Sequence, residues 1–265
     1  MTVTTRTIPP APRGPFQPAY LDLIDDLRTA LLAQAGELLD GIYLYGSVAR
    51  GDATQGVSDL DVTLILRHRP SPRDASMLEA LRLALAARHP EVSKIDFDIG
   101  TRIDALAPRN LHSWGYWLKH HCRCIWGNDL SRCFTPFPPS RTIALAVNGD
   151  VIEVLERQAQ EMEQLREPTQ DAAKLVRRQR EAARKLLRAT SVLRAEDEPC
   201  WPQTLEQHAA LFLSNYPAMR EQIDFFMAHA GQGGVPDAQF PARLRAFAGW
   251  LQQQMQEQMQ EQAAS

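Results

Sequence analysis

Gly41-Ile-Tyr-Leu-Tyr-Gly-Ser-Val-Ala-Arg-Gly51, followed by Ser58-Asp-Leu-Asp61, decides how this chain is read. Ile42, Tyr43, Leu44 and Tyr45 are β-branched, aromatic or apolar, the residue types that fill a buried strand. Gly46 ends that strand, and a glycine there permits positive φ and a close approach to the backbone. Ser47 opens a helical turn with a hydroxyl and an N–H, the makings of a phosphate seat. Arg50 lies about one turn further on. Asp59 and Asp61 stand two apart at the head of Asp-Val-Thr-Leu-Ile-Leu66, so in a strand they point to one face. Two adjacent carboxylates repel, and a divalent cation relieves them; Mg²⁺ is commonly held by one or two carboxylates with substrate phosphates and water.

These residues resemble the signature of the DNA polymerase β-like nucleotidyltransferase superfamily. That signature is Gly-Ser, a short helical turn, a variable loop, then Asp-x-Asp on the next strand. The resemblance covers roughly residues 41–100. It implies a third acid on a neighbouring strand, and Ser93-Lys-Ile-Asp-Phe-Asp-Ile-Gly100 supplies Asp96 and Asp98 on one face. Asp96, after the basic-apolar lead-in Lys94-Ile95, is the expected third acid; Asp98 is the alternative.

Elsewhere the chain is organised simply. Residues 1–17 hold four prolines and read as an irregular arm. Tyr20 to Leu39 reads as a helix with one apolar stripe. Ser71-Pro-Arg-Asp74 opens another through a capping box with proline at the first helical position. Val92 to Ile99 is the third strand. The order strand, turn, strand, helix, strand predicts a small mixed sheet with helices on one side. Leu111 to Trp126 is expected to be helical, its stripe formed by Leu111, Trp114, Leu118, Cys122 and Ile125. A proline-rich stretch near Cys133–Ser140 marks a boundary. Beyond it every periodicity is helical, with helices expected near 141–165, 169–194, 204–214, 217–230 and 237–262. The fold class is therefore α+β: a nucleotidyltransferase domain over 18–135 after the arm, then an all-α domain over 136–265.

A sheet domain followed by a helical domain resembles the aminoglycoside 3″-adenylyltransferase branch. The helical part adds a loose likeness in Ala183–Thr190, Pro202–Glu206 and Tyr216-Pro217. Gly127-Asn-Asp-Leu130 resembles the turn that closes the catalytic domain in such proteins. One departure stands out: that branch carries Glu as its third acid, and an Asp is shorter by one methylene. The acceptor is left open.

What the resemblance implies is transfer of a nucleoside monophosphate, AMP from ATP, to a hydroxyl acceptor with release of pyrophosphate. Asp59, Asp61 and Asp96 would hold two Mg²⁺ ions, and Asp96 would take the acceptor's proton. Gly46, Ser47, Arg50 and Ser58 would seat the nucleotide, with the cleft between domains holding the acceptor. A triphosphate carries about four negative charges, so the basic stretch Lys174–Arg188 offers Arg184 and Lys185 as further contacts. Asp171 and Glu181 could instead pair with that stretch as a solvated face. The acceptor is expected to be a small molecule before a protein, which would make the chain a protein AMP-transferase. A silent, antitoxin-like module of the same fold would have lost an acid or the Gly-Ser, and all are present.

Composition narrows the partners. A net charge of −3 over 265 residues gives no footprint for nucleic acid. No apolar run approaches a membrane span and the start lacks a signal-peptide core, so the expected location is the cytoplasm. His120, His121, Cys122 and Cys124 cluster, but no second Cys-x-x-Cys joins them, and partly buried thiols are expected rather than zinc. The Gln- and Met-rich end, Leu251 to Gln262, is either a terminal packing helix or the seam of a homodimer.

Overall fold

The computed structural model describes residues 7–11, 13–164, 172–231 and 234–264, with the side chains of 262–264 left out. The chain divides into two compact units, Met1–Pro138 and Pro139–Ser265.

In the first unit, helix α1 (Leu21–Ala35) precedes strand β1 (Leu39–Tyr45), the short helix α2 (Gly46–Arg50) and strand β2 (Leu60–Leu66). Helix α3 (Pro72–Arg88) starts with the expected capping box. The Ser71 hydroxyl accepts from the Asp74 N–H, and the Asp74 carboxylate accepts from the Ser71 N–H at 2.9 Å. Strand β3 (Ile95–Thr101) runs into α4 (Arg102–Ala105). A π-helical turn (Leu111–Gly115), α5 (Tyr116–His120) and strand β4 (Arg123–Gly127) follow.

The four strands lie in the order β3-β2-β1-β4. β1 pairs antiparallel with β2 and with β4, and β2 pairs parallel with β3. The sheet is therefore mixed, as the element order suggests. β4 corrects the expected helix over 111–126, because that helix stops at His120. The apolar spacing through Ile125 also suits a strand, and β1 would otherwise present an unpaired edge. The turn after β4 requires glycine: Gly127 has φ +83°, and a Cβ there would stand 2.3 Å from the Asp40 carbonyl oxygen.

Helical segments cover both faces of the sheet, not one. On the first face Ile42, Leu44, Leu60, Val62, Leu64 and Ile95 pack with Leu23, Leu27 and Leu31 of α1 and Leu78, Leu81 and Leu85 of α3. Each fully buried leucine contributes about 2 kcal/mol through apolar burial. On the second face Tyr43 and Ile65 pack against Ala105, Leu118, Cys122 and Leu130. The apolar run of β1 is continuous rather than alternating because both of its faces are covered. The Tyr43 hydroxyl donates to the Asn128 carbonyl and accepts from the Leu130 N–H. The buried Asp40 is held by Arg102 and Asn128, each at 2.8 Å, as a carboxylate out of water must be.

The described part of the arm, residues 7–11 and 13–17, has no regular structure, but it is packed. Ile8 is buried, and its N–H donates to the Phe137 carbonyl at 2.9 Å. His120 joins the same place: Nδ1 lies 2.9 Å from the Pro9 carbonyl, and Nε2 accepts from the Phe137 N–H at 3.1 Å. His121 lies against the Tyr116 hydroxyl at 2.6 Å. All four cysteines are free, Cys122 buried and Cys124 on β4.

Among the described residues the regular structure of the second unit is all helical, with α6 (Arg141–Asn148), α7 (Val151–Glu163), α8 (Ala172–Ala189), α9 (Leu205–Asn215), α10 (Arg220–Ala230) and α11 (Phe240–Ala264). The single helix expected over 141–165 is two, parted at Gly149-Asp150. Residues 165–171, and with them Pro168 and the suggested partner Asp171, lie outside the described residues. Leu155, Leu186, Leu187, Phe226, Phe240, Phe247 and Leu251 build the core. The first half of α11 packs into it, whereas Met259 near the end is 64% exposed.

A half-buried histidine is expected to make this unit acid-sensitive. His208 Nδ1 lies 3.0 Å from the Ser191 hydroxyl. Burial, with Arg188 nearby, pushes its pKa down to about 4. The folded pKa is below the unfolded one, so the neutral ring's contribution is full above about pH 6.5 and is lost as pH falls through the folded value. Stability should drop by about 2 kcal/mol between pH 7.5 and 4.5 from this group. Urea midpoints of the wild type and H208Q across that range check it; the variant should lose that part of the pH dependence.

Candidate active site

The sheet places the acids. In the parallel register of β2 and β3, Asp61 stands opposite Asp96, and Thr63 stands opposite Asp98. In the antiparallel register of β1 and β2, Tyr45 stands opposite Asp61. Asp61, Asp96, Asp98 and Tyr45 therefore share the second face of the sheet, at the end of β1 where α2 begins. Asp59 lies two residues before Asp61, just ahead of β2. Its carboxylate accepts a hydrogen bond from the Ser93 hydroxyl. Backbone bonds zip the two approaches together: Ser93 N–H to the Ser58 carbonyl at 3.0 Å, and Leu60 N–H to the Lys94 carbonyl at 2.9 Å.

Gly46 sits directly against Asp61. Its φ is +71°, and a Cβ on it would be 2.0 Å from Asp61 Oδ2. The glycine in the turn is thus needed twice, for its backbone angle and for the space the carboxylate occupies. Ser47 is half-buried at the start of α2, and its carbonyl accepts from the Gly51 and Asp52 N–H groups at 2.9 and 3.1 Å.

Electrostatics mark Asp61. Burial, then the charges of Asp59 and Asp96, push its pKa up to about 6. Lys94 acts the other way: its ammonium lies 2.6 Å from Asp96 Oδ2 and 3.6 Å from Asp59 Oδ2. Asp98 is engaged separately, accepting from the Tyr45 hydroxyl. Burial and that bond push the Tyr45 pKa up. Trp117 meets the Tyr45 ring edge-on, with centroids 4.7 Å apart. A groove of about 370 Å³ borders Asp96, lined by Leu78, Glu79 and Arg82 of α3 and by Phe97, Asp98 and Ile99 of β3.

The other residues singled out from the sequence fall as follows. Ser58 Oγ accepts from the Thr54 N–H at 2.9 Å and so shapes the loop before β2. Arg50 is exposed and pairs with Asp52 at 3.2 Å. Arg184 and Lys185 belong to α8 of the second unit, where Arg184 is exposed and Lys185 lies 3.6 Å from Asp150. Arg177 and Arg178 of the same helix pair with Glu181 and Glu161. Lys94, Ser93 and Tyr45 at the carboxylates were not expected there. Lys94 was legible in principle, since it stands two residues from Asp96 and so on the same face of the strand.

Residues 24–110 match the family described as "Nucleotidyltransferase domain". This part of the chain is a nucleotidyltransferase domain. The match runs from α1 through β1, β2 and β3 and into the 3₁₀ turn after α4, so it contains the Gly-Ser turn and Asp59, Asp61, Asp96 and Asp98. Among solved structures, the chain resembles spectinomycin adenyltransferase AAD(9) from Enterococcus faecialis, determined with ATP and spectinomycin. The TM-score is 0.51 at 13% identity, over 89% of this chain and 98% of that one. At that identity the likeness is one of fold, and it extends beyond the nucleotidyltransferase domain into the helical unit. No curated protein sequence matches the chain. No helix among the described residues is long and apolar enough to cross a membrane.

The nucleotidyltransferase domain has the donor chemistry for a divalent cation. Carboxylate oxygens are what Mg²⁺ takes, and the pKa of Asp61 is raised first by burial and then by the neighbouring charges of Asp59 and Asp96. Among the described residues no three Asp, Glu, His or Cys side chains close on one point as they stand; the Lys94 ammonium stands between Asp59 and Asp96.

Proposed function

We propose that the protein transfers AMP from ATP to a hydroxyl of a small-molecule acceptor and releases pyrophosphate. The observation that carries this is the register that sets Asp61 beside Asp96, with Asp59 next to them, under the Gly46-Ser47 turn. The family match over the same residues and the fold shared with an adenylyltransferase support it.

Asp59, Asp61 and Asp96 would hold Mg²⁺, which offsets the phosphate charge and steadies the entering and departing oxygens. The Ser47 hydroxyl and the N–H groups of its turn bind the β- and γ-phosphates of the donor. Gly46 keeps backbone and phosphates close by offering no side chain. Asp96 faces the groove beside α3 and accepts the proton of the acceptor hydroxyl there. Asp98, tied to Tyr45, fixes the edge of the site without exchanging protons.

The test is labelled ATP with Mg²⁺ against a panel of aminoglycosides and other polyols, reading pyrophosphate release and label on the acceptor. The wild type should label one class of small molecule. D96N should lose activity by about 10²-fold or more, as removal of a general base does, whereas D98N should retain most of it. Equal losses in D96N and D98N, or label on protein alone, would count against this assignment.

A further inference from the structure

Among the described residues Lys94 forms ion pairs with two of the predicted metal-binding acids, Asp59 and Asp96, and the backbone fixes it there. Its carbonyl accepts from the Leu60 N–H at 2.9 Å, and its neighbour Ser93 bonds Asp59. Its ammonium reaches Asp96 at 2.6 Å and Asp59 at 3.6 Å, and its charge also favours the ionised form of Asp61. Three carboxylates against one ammonium leave two negative charges unbalanced. A dication can balance them, but the ammonium already pairs with two of the three.

We propose that Lys94 is the resident counter-ion of this carboxylate group, and that a divalent cation binds by displacing its ammonium from Asp59 and Asp96. The inference rests on the nucleotidyl-transfer reading for the identity of the metal ligands. Without metal, Lys94 spares the domain the mutual repulsion of the acids. With metal, the long and flexible lysine stem lets the ammonium swing out to water or toward the donor's phosphates. An arginine would hold a carboxylate in two-point contact and give way less readily. The cost of removing the ammonium is set against metal binding, so the site takes the cation weakly until the phosphates of a nucleotide add their own oxygens and charge.

The experiment uses Mn²⁺ alone, without nucleotide, on the full chain. Calorimetric titration and thermal melts, each with and without Mn²⁺, compare the wild type with K94M, K94Q and K94R. The wild type should bind Mn²⁺ weakly and melt almost unchanged by it. K94M and K94Q should melt lower without metal, bind Mn²⁺ about tenfold more tightly because a neighbouring positive charge has gone, and regain their melting temperature when it is added. K94R should bind no better than the wild type. If K94M and K94Q melt lower and Mn²⁺ neither binds them more tightly nor restores them, Lys94 is a structural clamp and the displacement idea is overturned. Pyrophosphate release by the wild type is scored separately. Its loss would remove the nucleotidyl-transfer reading, while tighter Mn²⁺ binding by K94M would still show the exchange of one cation for another.

Discussion

D61N is expected to abolish pyrophosphate release while leaving the protein folded. Asp61 is half-buried, flanked by Asp59, opposite Asp96 and packed against Gly46. Asparagine has almost the same shape, so neither the contact with Gly46 nor the strand pairing is disturbed. What disappears is a negative oxygen ligand. Metal stabilisation of a phosphoryl transition state is worth several kcal/mol, and the rate should fall by about 10³-fold. The melting temperature should hold or rise, because burial and two neighbouring carboxylates already work against the charge at this position. Pyrophosphate release with Mg²⁺ and ATP, beside a circular-dichroism melt, checks both halves. Unchanged turnover in a folded D61N protein would remove the metal role.

G46A is the second large effect, and it separates activity from stability differently. The new methyl group meets Asp61 Oδ2 at 2.0 Å and Asp61 Cγ at 3.0 Å, on a backbone with φ +71°. The backbone strain costs on the order of 1 kcal/mol. The clash is with the end of a side chain, and that end can turn away, so the domain folds with a modest drop in melting temperature. Asp61 is then displaced from the other acids. A shift of about 1 Å in a group that positions reacting atoms can cost about 10²-fold in rate. Metal affinity should fall together with kcat, and G46S should behave no better than G46A. Activity close to that of the wild type in G46A would show that the carboxylate does not need its place beside the turn.

The strand-turn-strand stretch was readable because several local signals agree: β-branched and aromatic residues, a glycine where φ turns positive, and acids two apart. The same holds for α3, whose capping box forms between Ser71 and Asp74. β4 was hidden for a physical reason. Arg123–Gly127 follows a real helical turn, and its apolar residues continue that helix's spacing; what makes it a strand is the open edge of β1, which no local pattern reports. The second covered face was likewise set by tertiary packing around Tyr43 and Ile65. At the site, the acids were legible and their relations were not. The choice between Asp96 and Asp98 turns on the register with β2, which decides which of them stands beside Asp61. Lys94 was in view as part of a motif, but its pairing with both Asp59 and Asp96 depends on two loops being laid side by side.

The contact of Ile8 with Phe137, with the His120 ring reaching both Pro9 and Phe137, draws the two ends of the first unit to one point. Joining segments so distant along the chain carries a large loop-closure entropy, repaid only once everything between them is in place. This clasp is therefore expected to form late in folding, which hydrogen exchange at the Ile8 amide would report. Because entry and exit coincide, the unit also has the geometry of a cassette, one that can sit within a longer polypeptide without stretching either flank.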